Sequence, residues 1–76
     1  MKVKFTNHAQ STFLSRGIPL SRGVEAVRNP DDIELAFEGK IKARKKFGKK
    51  VLEVVYFKEG FRDRKNECIV VTGYYL

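Results

Sequence analysis

The chain has a single cysteine and a single histidine, and each scarcity closes a route. With Cys68 alone there is no internal disulfide, and with His8 as the sole imidazole there is no zinc-type cluster of ligands, so no cofactor is expected. No stretch nears the ~18 apolar residues of a membrane span, and the opening Met-Lys-Val-Lys-Phe-Thr-Asn lacks the apolar run of a signal peptide. A lone thiol suits a reducing compartment, so a cytoplasmic location with no membrane contact is expected. Length is short too: 76 residues give room for one domain, 1–76. A chain of that size buries only roughly 60 % of its unfolded surface, so modest stability or self-association is expected.

Acid is missing from one place in particular. Residues 40–50 read Lys-Ile-Lys-Ala-Arg-Lys-Lys-Phe-Gly-Lys-Lys and hold seven of the sixteen basic residues and none of the nine acidic ones. The rest of the chain balances, so the whole net charge of +7 traces to this stretch. Concentrated cation attracts polyanions, nucleic acid first, because each phosphate neutralised releases condensed counterions. The plainer alternative is an edge strand guarded by lysines.

The apolar pattern changes period along the chain. Val3 and Phe5 alternate with Lys2, Lys4 and Thr6, the period of a short strand. Thr6 or Asn7 can cap a helix with Ala9, Phe13 and Leu14 on one side and His8, Ser11, Thr12 and Ser15 on the other, stopped by Gly17. A second, weaker helix places Leu20, Val24 and Val27 on one face, with Ser21 as its cap, Gly23 costing about 1 kcal/mol inside it, and Asn29-Pro30 closing it. From Asp32, Ile33, Leu35 and Phe37 alternate with Asp32, Glu34, Ala36 and Glu38 up to a turn at Glu38-Gly39-Lys40. In the basic strand that follows, Lys42, Arg44 and Lys46 share one face opposite Ile41, Ala43 and Phe47, with Lys45 the exception, and Gly48-Lys49 turns the chain again. Val51–Phe57 reads as a central strand, Lys58–Glu67 as a polar loop and Cys68–Leu76 as a last strand.

The expected fold is therefore α+β, in the order β-α-α-β-β-β-β, with two helices on one face of a four- to five-stranded, mostly antiparallel sheet. The other face would show Tyr56, Thr72 or Tyr74 beside basic residues, a combination suited to stacking on bases and gripping phosphates. Which strand parity faces outward is left open by the sequence, and a core tyrosine with a wet hydroxyl is the alternative for each.

Six segments, Phe5-Thr6-Asn7-His8-Ala9, Arg16-Gly17-Ile18, Asn29-Pro30, Lys45-Lys46-Phe47-Gly48, Leu52-x-Val54-Val55-Tyr56 and Val70-Val71-Thr72-Gly73-Tyr74, resemble in order and spacing the short prokaryotic proteins of domain-of-unknown-function family 4258. That family looks like the RelE/ParE toxin superfamily and, more broadly, the barnase, EndoU, colicin and RelE group of small metal-independent ribonucleases. The resemblance implies a RelE-like α+β domain and a toxin-like, RNA-cleaving protein of a toxin–antitoxin pair.

Cutting RNA without a metal uses the ribose 2′-hydroxyl as nucleophile, so it needs a general base, a general acid and cations around the phosphorane. His8, whose reference pKa of about 6.5 lies near working pH, is the candidate for one proton-transfer role; a surface or capping histidine is the alternative. Arg44 and Lys46 are candidates for charge stabilisation, and Thr72 or Tyr74 for proton relay. Arg16, Lys42, Lys45, Lys49, Lys50 and Tyr56 are candidates for holding nucleic acid. Arg16 also fits as a cation at a helix C-terminus, about 12 Å along the axis from His8. The family pattern runs His-Ala-x-x-Arg-x-x-x-Arg-Gly-Ile, and Thr12 stands here in place of its first arginine, which removes a positive charge one turn from His8. Two readings follow: an mRNA-cleaving toxin with RNA as substrate and an acidic antitoxin as partner, or an RNA-binding module without turnover. A protein that uses the cations for an acidic protein partner, and self-association of the chain, complete the set.

Overall fold

A computed structural model of the chain describes residues 2–59 and 66–76. It is α+β: two helices packed on a five-stranded mixed sheet. The elements are β1 (Lys2–Phe5), α1 (Asn7–Ser15), α2 (Leu20–Arg28), β2 (Asp32–Leu35), a single 3₁₀ turn (Phe37–Gly39), β3 (Lys40–Phe47), β4 (Lys50–Glu59) and β5 (Glu67–Tyr75). Strand order is β1-β5-β4-β3-β2, antiparallel throughout except that β1 runs parallel to β5 along the edge. The mostly apolar β4 lies at the centre, as its composition requires. Most of the expected polar loop, residues 60–65, lies outside the described residues.

Thr6 caps α1, its hydroxyl accepting from the Ala9 amide at 3.0 Å. Gly17 ends that helix with φ +67°, and the bonds from Gly17 to Leu14 and from Ile18 to Phe13 are the paired closure of a Schellman motif. The closure brings Ile18 into the core beside Phe13. The polypeptide then turns at Pro19 straight into α2, whose first residue is Leu20; Ser21 lies inside the helix and caps nothing. The face α2 buries is Gly23, Ala26 and Val27 rather than Leu20, Val24 and Val27, which leaves Leu20 exposed. Gly23 is there for closeness: a Cβ would stand 2.7 Å from the Phe13 ring and 3.0 Å from Phe5. Leu14, expected in the core with Phe13, is 83 % exposed, because α1 turns only Ala9 and Phe13 to the sheet.

The register assigns each strand position to a layer. Ala43, Val54 and Gly73 lie opposite one another on the helix side, as do Ile41, Tyr56 and Val70. Lys42, Arg44 and Lys46 lie on the open face with Glu53, Val55, Thr72 and Tyr74. Tyr56 is therefore not on the open face as expected: it is 5 % exposed in the core beneath the helices, with burial and then the nearby Cys68 thiol raising its pKa. The alternation expected through Phe37 ends at Leu35, where the chain enters the 3₁₀ turn. Nor do Ile33 and Leu35 reach the core, because α1 packs on β5 and α2 on β4 and β3, short of β2.

Candidate nucleic-acid interface

The basic strand does not form one patch, because the acids of its neighbours fold back onto it. Arg44 sits at the centre of three carboxylates, bonding Glu53 at 2.7 Å across the ladder, Asp32 at 2.8 Å, and Glu34. The bond to Glu34, followed by those to Glu53 and Asp32, raises the guanidinium pKa further and leaves its charge spoken for. Lys40 pairs with Glu38 at 3.4 Å. Lys45, on the helix side, bonds the Asn29 carbonyl at 2.8 Å with Asp31 at 3.7 Å. Spacing along β3 carried no sign of this, since the countercharges arrive from β2, β4 and the α2–β2 connection.

On the open face Glu53 is the one buried charge among the described residues. Burial alone would raise its pKa; the hydrogen bond donated by Tyr74, the one from Arg44, and the positive charges of Arg44 and Lys42 outweigh that and hold the carboxyl below its usual range. The bond to Glu53, with burial second, pushes the Tyr74 phenol up. Arg44, Glu53 and Tyr74 thus form a closed network with every partner satisfied, and Lys42, Lys46 and Thr72 share its face. His8 is elsewhere: it is exposed on α1, and its side-chain hydrogen bond is to Thr12, at 3.5 Å. The structure brings together Arg44, Lys42, Lys46, Thr72 and Tyr74 but not His8, whose helix covers the other side of the sheet.

Uncancelled charge collects at the end of the molecule where the β3–β4 turn meets the last residues of β5. β1 stops opposite Val70, so beyond it that side of β5 carries no strand among the described residues. Arg16 reaches over this edge, donating to the Gly73 carbonyl at 2.9 Å with its guanidinium 5.8 Å from the Tyr74 ring centre. On the helix side, Arg22 donates to the Tyr75 hydroxyl at 2.7 Å and lies 5.0 Å from the Phe47 ring centre, while the Lys50 ammonium stands 5.0 Å from the Tyr75 ring. Lys46 and Lys49 flank Phe47 and the turn. None of Arg16, Arg22, Lys46, Lys49 and Lys50 makes a salt bridge among the described residues. A carboxylate cancels a cation; an aromatic ring positions one and leaves its charge to act. Arg22, Phe47 and Tyr75 were not legible as a site, because only the tertiary register brings α2, β3 and β5 to the same end.

No family model, curated protein or solved structure matches the chain. Among the described residues no helix is long and apolar enough to cross a membrane, and no group of three or more His, Cys, Asp or Glu is placed to hold a metal ion. A hollow of about 660 Å³ beside α1, lined by Gln10, Ser11, Leu14, Ile18 and Leu20 among others, has no charged group among the described residues that line it to anchor a phosphate.

Proposed function

We propose that the protein binds single-stranded RNA at the end built from Arg16, Arg22, Lys46, Lys49, Lys50, Phe47, Tyr74 and Tyr75. The observation that carries this reading is the set of three cation–ring pairs, Arg16 with Tyr74, Arg22 with Phe47 and Lys50 with Tyr75. Backbone phosphates are drawn to the uncancelled charge, while the guanidinium planes, held in place by rings of which Phe47 and Tyr75 pack against the core, offer surfaces for unstacked bases. The resemblance to the RelE/ParE toxins supports RNA as the polymer and an acidic antitoxin as a competitor for the same cations.

Binding without turnover is favoured over cleavage. A phosphorane needs free cations beside a proton-transfer group, and Arg44 is occupied by three carboxylates while His8 stands on the other side of the sheet, in a side-chain hydrogen bond with Thr12. One observation keeps a metal-independent endoribonuclease as the second reading: His8, Thr12 and Arg16 lie on one ridge of α1, and Arg16 reaches Tyr74. Titration of a fluorescent oligouridylate by anisotropy in EDTA, with product analysis of the same samples, separates the two. The expected result is salt-sensitive binding that Arg22→Gln with Lys50→Gln weakens about tenfold or more, with the oligonucleotide intact. Release of 2′,3′-cyclic phosphate ends, lost in His8→Ala with affinity unchanged, would establish the nuclease instead. Affinity equal in wild type and double variant would exclude this end as the interface.

A further inference from the structure

The outer edge of β2 carries an independent signal. Every residue of Asp32–Leu35 is exposed, and the strand is the last of its sheet, so its outward backbone groups have no neighbouring strand among the described residues. The bond from the Ala36 amide to the Lys40 carbonyl, at 2.8 Å, sets the alternation of the β2–β3 ladder. Asp32 and Glu34 turn their backbone groups to β3, and Ile33 and Leu35 turn theirs outward. Of the devices that guard natural edges, this four-residue strand has shortness and two acids, both held to Arg44, but neither lysine nor proline.

The side chains around that edge are apolar where the helices end. Ile33 is 54 % exposed, Leu35 79 % and Phe37, in the turn that follows, 89 %. Beside them is a hollow of about 330 Å³ lined by Glu34, Leu35, Ala36, Phe37 and Lys42. Charge singles out the same place. The chain is +7 overall, yet residues 31–38 hold Asp31, Asp32, Glu34 and Glu38 and no cation, and Asp32 and Glu34 are already bound to Arg44. Two copies of a strongly basic protein repel each other least when they meet here, and a polyanion is turned away from it.

We propose that this edge is a self-association surface on which a second copy of the chain lays its own β2, antiparallel, about a two-fold axis at Glu34. In that register Ile33 of each copy faces Leu35 of the other, their outward amides and carbonyls exchange hydrogen bonds, and the two sheets join into one. The pattern Asp-Ile-Glu-Leu is self-complementary under this operation: apolar side chains meet on the helix side, and each Glu34 comes to the axis held back by its bond to its own Arg44, whose single charge it shares with Asp32 and Glu53. Phe37 extends the apolar contact past the strand end, next to the hollow. The surface is isologous, so it closes at a dimer and leaves both basic ends facing outward. Four strand residues and one ring make a contact below the standard interface size, so the dimer forms at high concentration. The proposal does not rest on RNA binding.

Sedimentation equilibrium over about 1 μM to about 1 mM brackets the affinities such a contact reaches. The expected result is a monomer–dimer equilibrium that Phe37→Ser and Leu35→Pro each weaken about tenfold or more. Leu35→Pro removes an outward amide without touching the ladder to β3, the one place on an edge where proline is tolerated. Leu14→Ser, at an equally exposed leucine on α1, leaves the equilibrium unchanged. Should circular dichroism show Leu35→Pro unfolded, the register is read from disulfide trapping: an oxidised mixture of Ile33→Cys and Leu35→Cys proteins cross-links, because opposed hydrogen-bonded residues lie about 5.5 Å apart, and Ile33→Cys alone does not. A wild type monomeric throughout, Phe37→Ser associating as wild type, or dissociation by Leu14→Ser would overturn the proposal.

Discussion

Replacing Gly73 by alanine probes the contact on which the α1–β5 packing rests. The backbone at Gly73 is not left-handed, so the substitution meets no dihedral strain; its obstacle is Phe13, whose ring atoms would stand 2.5 and 2.6 Å from the new Cβ. Comfortable carbon–carbon separation is about 3.5–4.0 Å, so the ring would have to retreat by roughly 1 Å. It has nowhere to go. On its far side is Gly23, where the ring is already within 2.7 Å of an ideal Cβ position, and its edge packs against Phe5 with ring centres 5.3 Å apart at 82°. Overpacking of this kind costs about 1–3 kcal/mol, and the loss of unfolded-state freedom on Gly→Ala returns about 0.4–1 kcal/mol. A net destabilisation of about 1–2 kcal/mol follows, equivalent for a domain of this size to a fall in Tm of about 4–16 °C. Urea titration followed by circular dichroism measures it. A double-mutant cycle with Phe13→Leu supplies the decisive readout: the smaller side chain makes room, so the pair should cost less than the sum of the single changes by about 1 kcal/mol. Gly17→Ala is the contrast, destabilising through its φ of +67° with open space around it, and Phe13→Leu should not rescue it. If Gly73→Ala is as stable as wild type, or its cost is the same in both backgrounds, the steric account of this interface is wrong.

Two further outcomes follow from charge. If the five cations at the β3–β4 end each contact one phosphate, the log–log salt slope for single-stranded RNA should be about −3.5, and Lys49→Gln with Lys50→Gln should flatten it by about 1.4; Lys40→Gln with Lys45→Gln, whose cations are paired with Glu38 and Asp31, should leave it unchanged. The second concerns acid. Because the folded-state pKa of Glu53 lies below its unfolded value, its contribution to stability is complete above an ordinary carboxyl pKa of about 4.3 and is lost as pH falls through the folded-state value. Glu53→Gln should therefore lower stability at pH 7 and flatten the fall below about pH 4.3, as measured by Tm against pH; a slope identical to wild type would mean that Glu53 titrates alike folded and unfolded.

Much of the architecture was legible because it depends on local pattern. Period-2 alternation at Val3 and Phe5, the Thr6 cap, the Gly17 stop and the apolar run of β4 each act over a few residues, and the element order and α+β class follow from them. The sharing of faces along β3 was likewise fixed by pleat, with Lys42, Arg44 and Lys46 on one side as alternation requires. What local pattern could not carry was the company each side chain keeps. Arg44 reads as a free cation within an unbroken basic run, and becomes the most heavily paired one because two neighbouring strands deliver three carboxylates to it. Tyr56 and Tyr74 look alike in sequence, yet the register buries one under the helices and binds the other to Glu53 on the open face. Gly23 looks like a flaw in a helix until Phe13 is seen against it. Sequence determined which residues are charged, apolar and periodic; tertiary structure decided which charges cancel, because Coulombic and steric terms act through space between residues far apart along the chain.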